Sequence, residues 1–315
     1  MQTQENGRLF ELLTRLENSP NRDRIYGFWN NYGLNIKWLI ESQYYNEHNL
    51  LPDTVLDPRP EDVVIIRMKG LAYCAPVKDI WMMGITLPDF SREPWLDKVL
   101  ATVKPGELFM DVGAHIGLYT IPVALKTNVI AFEADGQNFE LLKMNVELNR
   151  VQNKVTLIKA AVSDDSYEKW LFKGPHGMLS TMIDPQGGKV HGWEEVGSER
   201  VKCVTIDDFT YEHNLANIDY LKIDVEGAEL SVLKGAQNVL KKGLVKNILI
   251  EMHPVVGEQA TEIYRMLDQN YSLDVLWRDE KMPTNPFLHA RLRTGRLGGK
   301  CGNDSTAKLR FTEAC

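Results

Sequence analysis

From Pro94 to Trp277, short apolar runs alternate with segments whose apolar residues recur every three to four positions, the periods of buried strands and amphipathic helices. The spacing predicts a helix over Pro94 to Val103, a strand over Leu108 to Val112 and a helix over Gly117 to Lys126. A strand over Asn128 to Glu133, a helix over Gln137 to Asn149 and a strand over Val155 to Val162 follow. After an interruption the alternation resumes: strand Tyr220 to Val225, helix Glu229 to Leu240, strand Asn247 to His253, helix Gln259 to Asn270 and strand Leu273 to Trp277. Such alternation predicts a doubly wound α/β domain, a mostly parallel sheet with helices on both faces.

The flanks break this rhythm. In residues 1–93, Leu9, Phe10, Leu12, Leu13 and Leu16, then Ile36, Trp38, Leu39 and Ile40, have helical spacing, and Val63 to Met68 can pair with Leu71 to Val77 across Lys69-Gly70. This predicts a mixed helical and hairpin N-terminal extension. The α/β domain is expected over 94–284, with a Gly-rich insertion at about 164–206 that carries Trp170 to Lys173 and Val201 to Ile206. Residues 285–315 read as an Arg- and Gly-rich segment and tail.

Composition narrows the function. With 43% hydrophobic and 25% charged residues the 315-residue chain is ordinary globular material. A net charge of -7 argues against a nucleic-acid acceptor, because phosphate contacts need clustered Lys and Arg. Cys74, Cys203, Cys301 and Cys315 show no paired metal-ligand spacing and are expected to be reduced thiols. No apolar run has the length of a membrane span or a secretory signal, so the expected location is cytoplasmic.

The strongest local signal is Asp111-Val112-Gly113-Ala114-His115-Ile116-Gly117, where a strand gives way to a helix. Gly113 and Gly117 let the backbone bend and approach a ligand near helix N-terminal amides. A dinucleotide fingerprint requires glycine where His115 stands, which disfavours a dehydrogenase. Asp111, at the strand end, suits a ligand with a cationic amino group. A lone Glu is by default a solvated loop acid, but Glu133 ends the next strand, one βα unit on, where a carboxylate holds ribose hydroxyls.

These residues, with Ala161-Val162-Ser163-Asp164, Thr205-Ile206-Asp207-Asp208, Lys222-Ile223-Asp224-Val225-Glu226-Gly227-Ala228-Glu229 and Leu233-Lys234-Gly235-Ala236, resemble the FkbM family of methyltransferases in their order from about Pro94 to His253. The resemblance implies a Rossmann-like class I methyltransferase fold with a seven-stranded sheet. It also implies transfer of the methyl group of S-adenosylmethionine, leaving S-adenosylhomocysteine, to a hydroxyl of a small molecule, sugar or glycolipid. His115 is a departure, since the family's turn commonly carries Asn there. The expected cofactor residues are Asp111, Gly113, His115, Gly117, Glu133 and Asp224, with adenine near Ala161, Val162 and Ser163.

For the chemistry, Asp224 and His253 each follow an apolar strand core and reach the sheet's carboxyl edge. His253 is the expected general base and Asp224 the group that positions cofactor or acceptor. Asp207, Asp208, Asp224 and Glu251 could hold a divalent cation, but their spacing does not require one and no metal is predicted. Asp207 and Asp208 fit helix or turn capping better. Two other functions remain open: a methyltransferase acting on a protein, and a non-catalytic S-adenosylmethionine-binding module. The acceptor and the oligomeric state are not encoded in any motif.

Overall fold

The N-terminal extension holds α1 (Arg22–Asn31), which lies between the two helical patterns read in the sequence, a hairpin of β1 (Val63–Met68) and β2 (Leu71–Pro76), and the one-turn α2 (Val77–Ile80). In the computed structural model the described residues are 14–31, 56–57, 59–68, 70–80, 94–185, 189–190, 193–253, 259–278 and 286–293. The hairpin pairs antiparallel from Met68 and Leu71 outward, as the sequence predicts. Leu16 is buried, whereas Leu9, Phe10, Leu12, Leu13, Ile36, Trp38, Leu39, Ile40, Cys301 and Cys315 lie outside the described residues. Cys74 and Cys203 are buried free thiols.

The central unit runs α3 (Pro94–Thr102), β3 (Leu108–Val112), α4 (Thr120–Ala124), β4 (Asn128–Phe132), α5 (Gly136–Leu148) and β5 (Val155–Ile158). Small strands follow: β6 (Ala161–Val162), β7 (Lys169–Lys173), β8 (Ser180–Thr181), β9 (Lys189–Val190), β10 (Trp193–Glu194), β11 (Gly197–Val201) and β12 (Cys203–Val204). The chain then continues through α6 (Ile206–Glu212), β13 (Ile218–Ile223), α7 (Glu229–Lys234), α8 (Gln237–Lys241), β14 (Val245–Glu251), α9 (Gln259–Asp268), β15 (Tyr271–Arg278) and β16 (Pro286–Leu292).

Seven strands form the main sheet in the order β15-β16-β14-β13-β3-β4-β5. Strands β14, β13, β3, β4 and β5 are mutually parallel, and β16 runs antiparallel to both neighbours. This is the doubly wound Rossmann-like α/β fold expected from the alternation. All six residues of β13 are buried, as in a strand covered on both faces. Successive strand residues feed opposite core layers: Phe109, Val129 and Ala131 enter one, and Met110, Ile130 and Phe132 the other.

The N-terminal elements share the first of these cores. Ile25, Trp29, Val64 and Ile65 pack in the same cluster as Phe109 and Leu142. Polar bonds fix the join: buried Asn145 of α5 donates to the carbonyls of Cys74 and Ile116, and Asn149 accepts from and donates to the Ala72 backbone. Each amide satisfies strand groups that burial would otherwise leave unpaired.

Three further expectations need correction, the first being the helix over Glu229 to Leu240, which divides at Gly235-Ala236 into α7 and α8. The predicted strand Val155 to Val162 divides: β5 stays in the main sheet, while β6 leaves it to pair with β12. The expected C-terminal segment from residue 285 begins with β16, which lies inside the sheet between β14 and β15, so the sheet extends to Leu292. Among the described residues no helix is long and apolar enough to cross a membrane.

Candidate functional site

The switch point of the sheet lies between β3 and β13, where the chain has wound outward to β5 on one side and resumes on the other. Open α/β sheets bind ligands at the carboxyl ends of the strands at such a point. A cleft of about 890 Å³, the open space at its mouth included, lies there. Gly113, His115, Glu133, Ala161, Val162 and Asp224 all line it. Asp111, Gly117, Ser163 and His253 stand behind this lining.

Gly113 sets the geometry. Its φ is 76°, and a Cβ there would lie 1.8 Å from the carbonyl oxygen of Asp224, so only glycine lets β3 and β13 end this close together. Gly235 solves the same problem farther out, since a Cβ on it would lie 1.9 Å from the Ser163 carbonyl oxygen. That explains the glycine in the Leu233-Lys234-Gly235-Ala236 motif. Gly117 packs against Leu142 and Ile121 beneath the turn.

Glu133 faces the cleft from the end of β4 although it is 7% exposed. Its Oε2 accepts from the His115 backbone at 2.7 Å and its Oε1 from that of Asp135 at 2.8 Å, which locks the carboxylate while leaving each oxygen a further lone pair. Burial pushes its pKa up to about 7, although both backbone bonds oppose the rise. His115 adopts φ 51° on the cleft wall, and its buried Nε2 meets no hydrogen-bond partner. Burial lowers its pKa to about 4, so the ring is neutral at physiological pH.

The expectation that Asp111 itself meets a cationic ligand group does not fit the geometry. Its fully buried carboxylate accepts from Thr120 Oγ1 at 2.6 Å, and the cation against it is Lys222, 3.2 Å away. Lys222 donates to the Gly113 carbonyl at 2.8 Å and lies 3.3 Å from Asp224, so it ties the glycine turn to the carboxyl end of β13. Sequence reasoning missed Lys222. The one available signal was a lysine between Leu221 and Ile223 near the end of a buried strand, a position that requires buried counter-charges.

Ser163 is also set back. It is wholly buried and accepts from Lys169 Nζ at 2.7 Å, whereas Ala160, Ala161 and Val162 present an apolar wall to the cleft. Leu171, Met178 and Met182 of the insertion line the same cleft, and Leu171 and Met182 pack in one cluster with Ala161. The insertion is tied down by Asn138, which donates to the Gly177 carbonyl at 2.8 Å, and by His176, whose Nδ1 lies 3.2 Å from Asp79 in α2, just after the N-terminal hairpin.

At the β13 and β14 ends, Asp224 and Glu226 line the cleft while His253 is buried beside them. His253 Nδ1 lies 2.8 Å from Glu229 Oε1, and its Nε2 lies 3.2 Å from Glu226 and 3.9 Å from Asp224. Burial disfavours a charged imidazole, but Glu226 and Glu229 outweigh it and hold the pKa well above the usual histidine value. An imidazole engaged at both nitrogens and already charged is a poor proton acceptor, so the geometry does not support His253 as general base. Burial also raises the Asp224 pKa, but Lys222 and His253 outweigh this and keep the carboxyl below its usual value.

The remaining acids have structural partners. Asp207 accepts from the backbones of Asn238 and Val239 and caps α8, where Ala236 offers no side-chain cap. Thr205 caps α6 through the Asp208 backbone. Glu229 bonds back to the Gly227 backbone in addition to holding His253.

A family model described as Methyltransferase FkbM domain matches residues 111–273, just over half of the chain. The hexuronic acid methyltransferase AglP of Haloferax volcanii is 26% identical over 174 residues, covering 54% of this chain and 65% of the relative, so this chain spans just under two thirds of that protein. The 31-O-demethyl-FK506 methyltransferase FkbM of Streptomyces tacrolimicus is 27% identical over 181 residues, 49% of this chain and 68% of the relative. Among solved structures, a methyltransferase FkbM from Methylobacillus flagellatus KT superposes with a TM-score of 0.45 at 16% identity, covering 68% of this chain and 53% of that one. With the family model covering more than half of the chain, from the end of β3 through β13 and β14, this chain belongs to the FkbM family of methyltransferases.

Proposed function

We propose that this protein uses S-adenosylmethionine to methylate a hydroxyl oxygen of a small-molecule or carbohydrate acceptor. The carrying observation is the placement of a locked, cleft-facing Glu133 and a cleft-facing Asp224 on opposite sides of one glycine turn. Glu133 would receive the ribose hydroxyls, the wall at Ala160, Ala161 and Val162 the adenine, and the Gly113 to His115 turn the chain between ribose and sulfonium. The orphaned His115 Nε2 gives the ligand a polar partner to satisfy. When bound, S-adenosylmethionine supplies an electrophilic methyl group.

The chain's own residues then orient the acceptor and manage one proton. Asp224 accepts a hydrogen bond from the acceptor hydroxyl and takes its proton as the oxygen is alkylated. Lys222 and His253 hold Asp224 ionised and in position. The relatives named for a hexuronic acid and for 31-O-demethyl-FK506 support an acceptor rich in oxygen. A non-catalytic binding role would leave this acceptor edge unused. The test is formation of S-adenosylhomocysteine by the purified chain with a pool of sugars, uronic acids and hydroxylated metabolites. Turnover with a protein extract alone would move the acceptor to protein.

Glu133 makes the cofactor assignment measurable in two ways. Glu133→Ala should weaken S-adenosylhomocysteine binding by about 1.5–3 kcal/mol, the range for hydrogen bonds to a charged group. Ribose hydroxyls donate to the ionised form, whereas the free protein keeps Glu133 protonated below about 7. Affinity should therefore rise with pH between about 6 and 8, by at most about tenfold per unit, and Glu133→Gln should flatten the profile. Calorimetry giving a flat wild-type profile would remove Glu133 from the ribose.

Ala161 tests the adenine wall. It is buried and borders the cleft, so Ala161→Trp should fill the slot and abolish cofactor binding while the thermal transition of the free protein stays cooperative. Normal affinity in that variant would put the ring elsewhere.

A further inference from the structure

The acceptor edge holds more ligating chemistry than a single proton transfer needs. Asp224, Glu226 and His253 each offer one ligand atom, and these atoms all lie within 4.8 Å of one another. We propose that these three side chains form a binding site for one divalent cation of the Mn²⁺ to Zn²⁺ type, which presents two neighbouring acceptor oxygens to the methyl group. The second part rests on the O-methylation reading; the cation site itself does not.

Bonds of about 2.0–2.1 Å to a six-coordinate cation put adjacent ligand atoms about 3 Å apart. The separations from His253 Nε2, 3.2 Å to Glu226 and 3.9 Å to Asp224, approach that spacing. The cation displaces the proton that His253 Nε2 shares with Glu226, and one imidazole nitrogen with two carboxylates suits a borderline cation better than Ca²⁺, which prefers oxygen alone. Two of the ligands line the cleft, so the remaining coordination positions open toward the acceptor. A hydroxyl beside a second hydroxyl or a carboxylate would fill two of them.

Two observations outside the ligand set point the same way. Glu229, fully buried, receives His253 Nδ1 at 2.8 Å, an outer carboxylate that fixes the ring and directs Nε2 at the other two acids. The second Glu229 oxygen is buried with no hydrogen-bond partner, an unsatisfied acceptor directly behind the ligand set. Glu226 is held in place by its own backbone: its φ is 53° and its carbonyl accepts from Thr181 Oγ1 at 2.7 Å. Lys222, 3.3 Å from Asp224, opposes a cation and makes the site weaker than its ligand count alone implies.

The test is a Mn²⁺ titration of the full chain followed by electron paramagnetic resonance, with and without S-adenosylhomocysteine. The expected result is one Mn²⁺ per chain below about 1 mM. Affinity should fall at least about tenfold in Glu226→Gln and His253→Gln, and about 10–100-fold in Glu229→Gln. Calorimetry with S-adenosylhomocysteine reports whether each variant is folded. Glu226→Gln, whose side chain is partly exposed at the cleft, decides the matter if the buried variants misfold. A wild-type chain that binds S-adenosylhomocysteine but no Mn²⁺ overturns the cation site and leaves the methyltransferase reading intact. Unchanged Mn²⁺ affinity in a folded Glu226→Gln chain overturns the site as well.

Discussion

Asp224→Asn is expected to lower kcat by about 10²–10⁴-fold while S-adenosylhomocysteine affinity stays within a few-fold of wild type. Asn keeps the size of Asp224 but removes the charge that accepts the hydroxyl proton. The change leaves Lys222 paired with Asp111 at 3.2 Å, so the local fold keeps its buried ion pair. Single-turnover methyl transfer and calorimetry on the same preparation separate the outcomes. Near-normal turnover would remove Asp224 from the chemistry. Loss of cofactor affinity in step with turnover would make it a cofactor ligand instead.

Gly113→Ala should destabilise the protein by about 3 kcal/mol or more. Two effects add: a Cβ 1.8 Å from the Asp224 carbonyl forces β3 and β13 apart, worth about 1–3 kcal/mol as overpacking, and a left-handed backbone at φ 76° costs alanine about 1–2 kcal/mol. The displacement falls at the cleft floor, so cofactor binding should fail as well. Urea denaturation checks the first effect. A loss within about 0.5 kcal/mol, ordinary for an exposed site, would show that the strand ends part easily.

The sequence carried the strand and helix order, the switch-point glycine turn and the cleft positions of Gly113, His115, Glu133, Ala161, Val162 and Asp224, because these depend on local period and on strand ends. It missed what depends on distant partners. β16 comes last in the chain yet lies inside the sheet, and its pairing with β14 and β15 leaves no local trace. His253 sits at the expected edge, but Glu229 and Glu226 engage its ring, so its position suggested a base that its neighbours disfavour. Asp111 likewise ends the expected strand, with Lys222 already against it. The contact of Asp79 with His176 joins segments 97 residues apart and draws the N-terminal hairpin to the edge of the site.

The most direct test of the cofactor assignment is a crystal structure of the chain with S-adenosylhomocysteine. It should place the ribose hydroxyls on Glu133, the adenine against Ala161 and the sulfur toward Asp224. A ligand bound away from Glu133, or no ligand bound at saturating concentration, would contradict it.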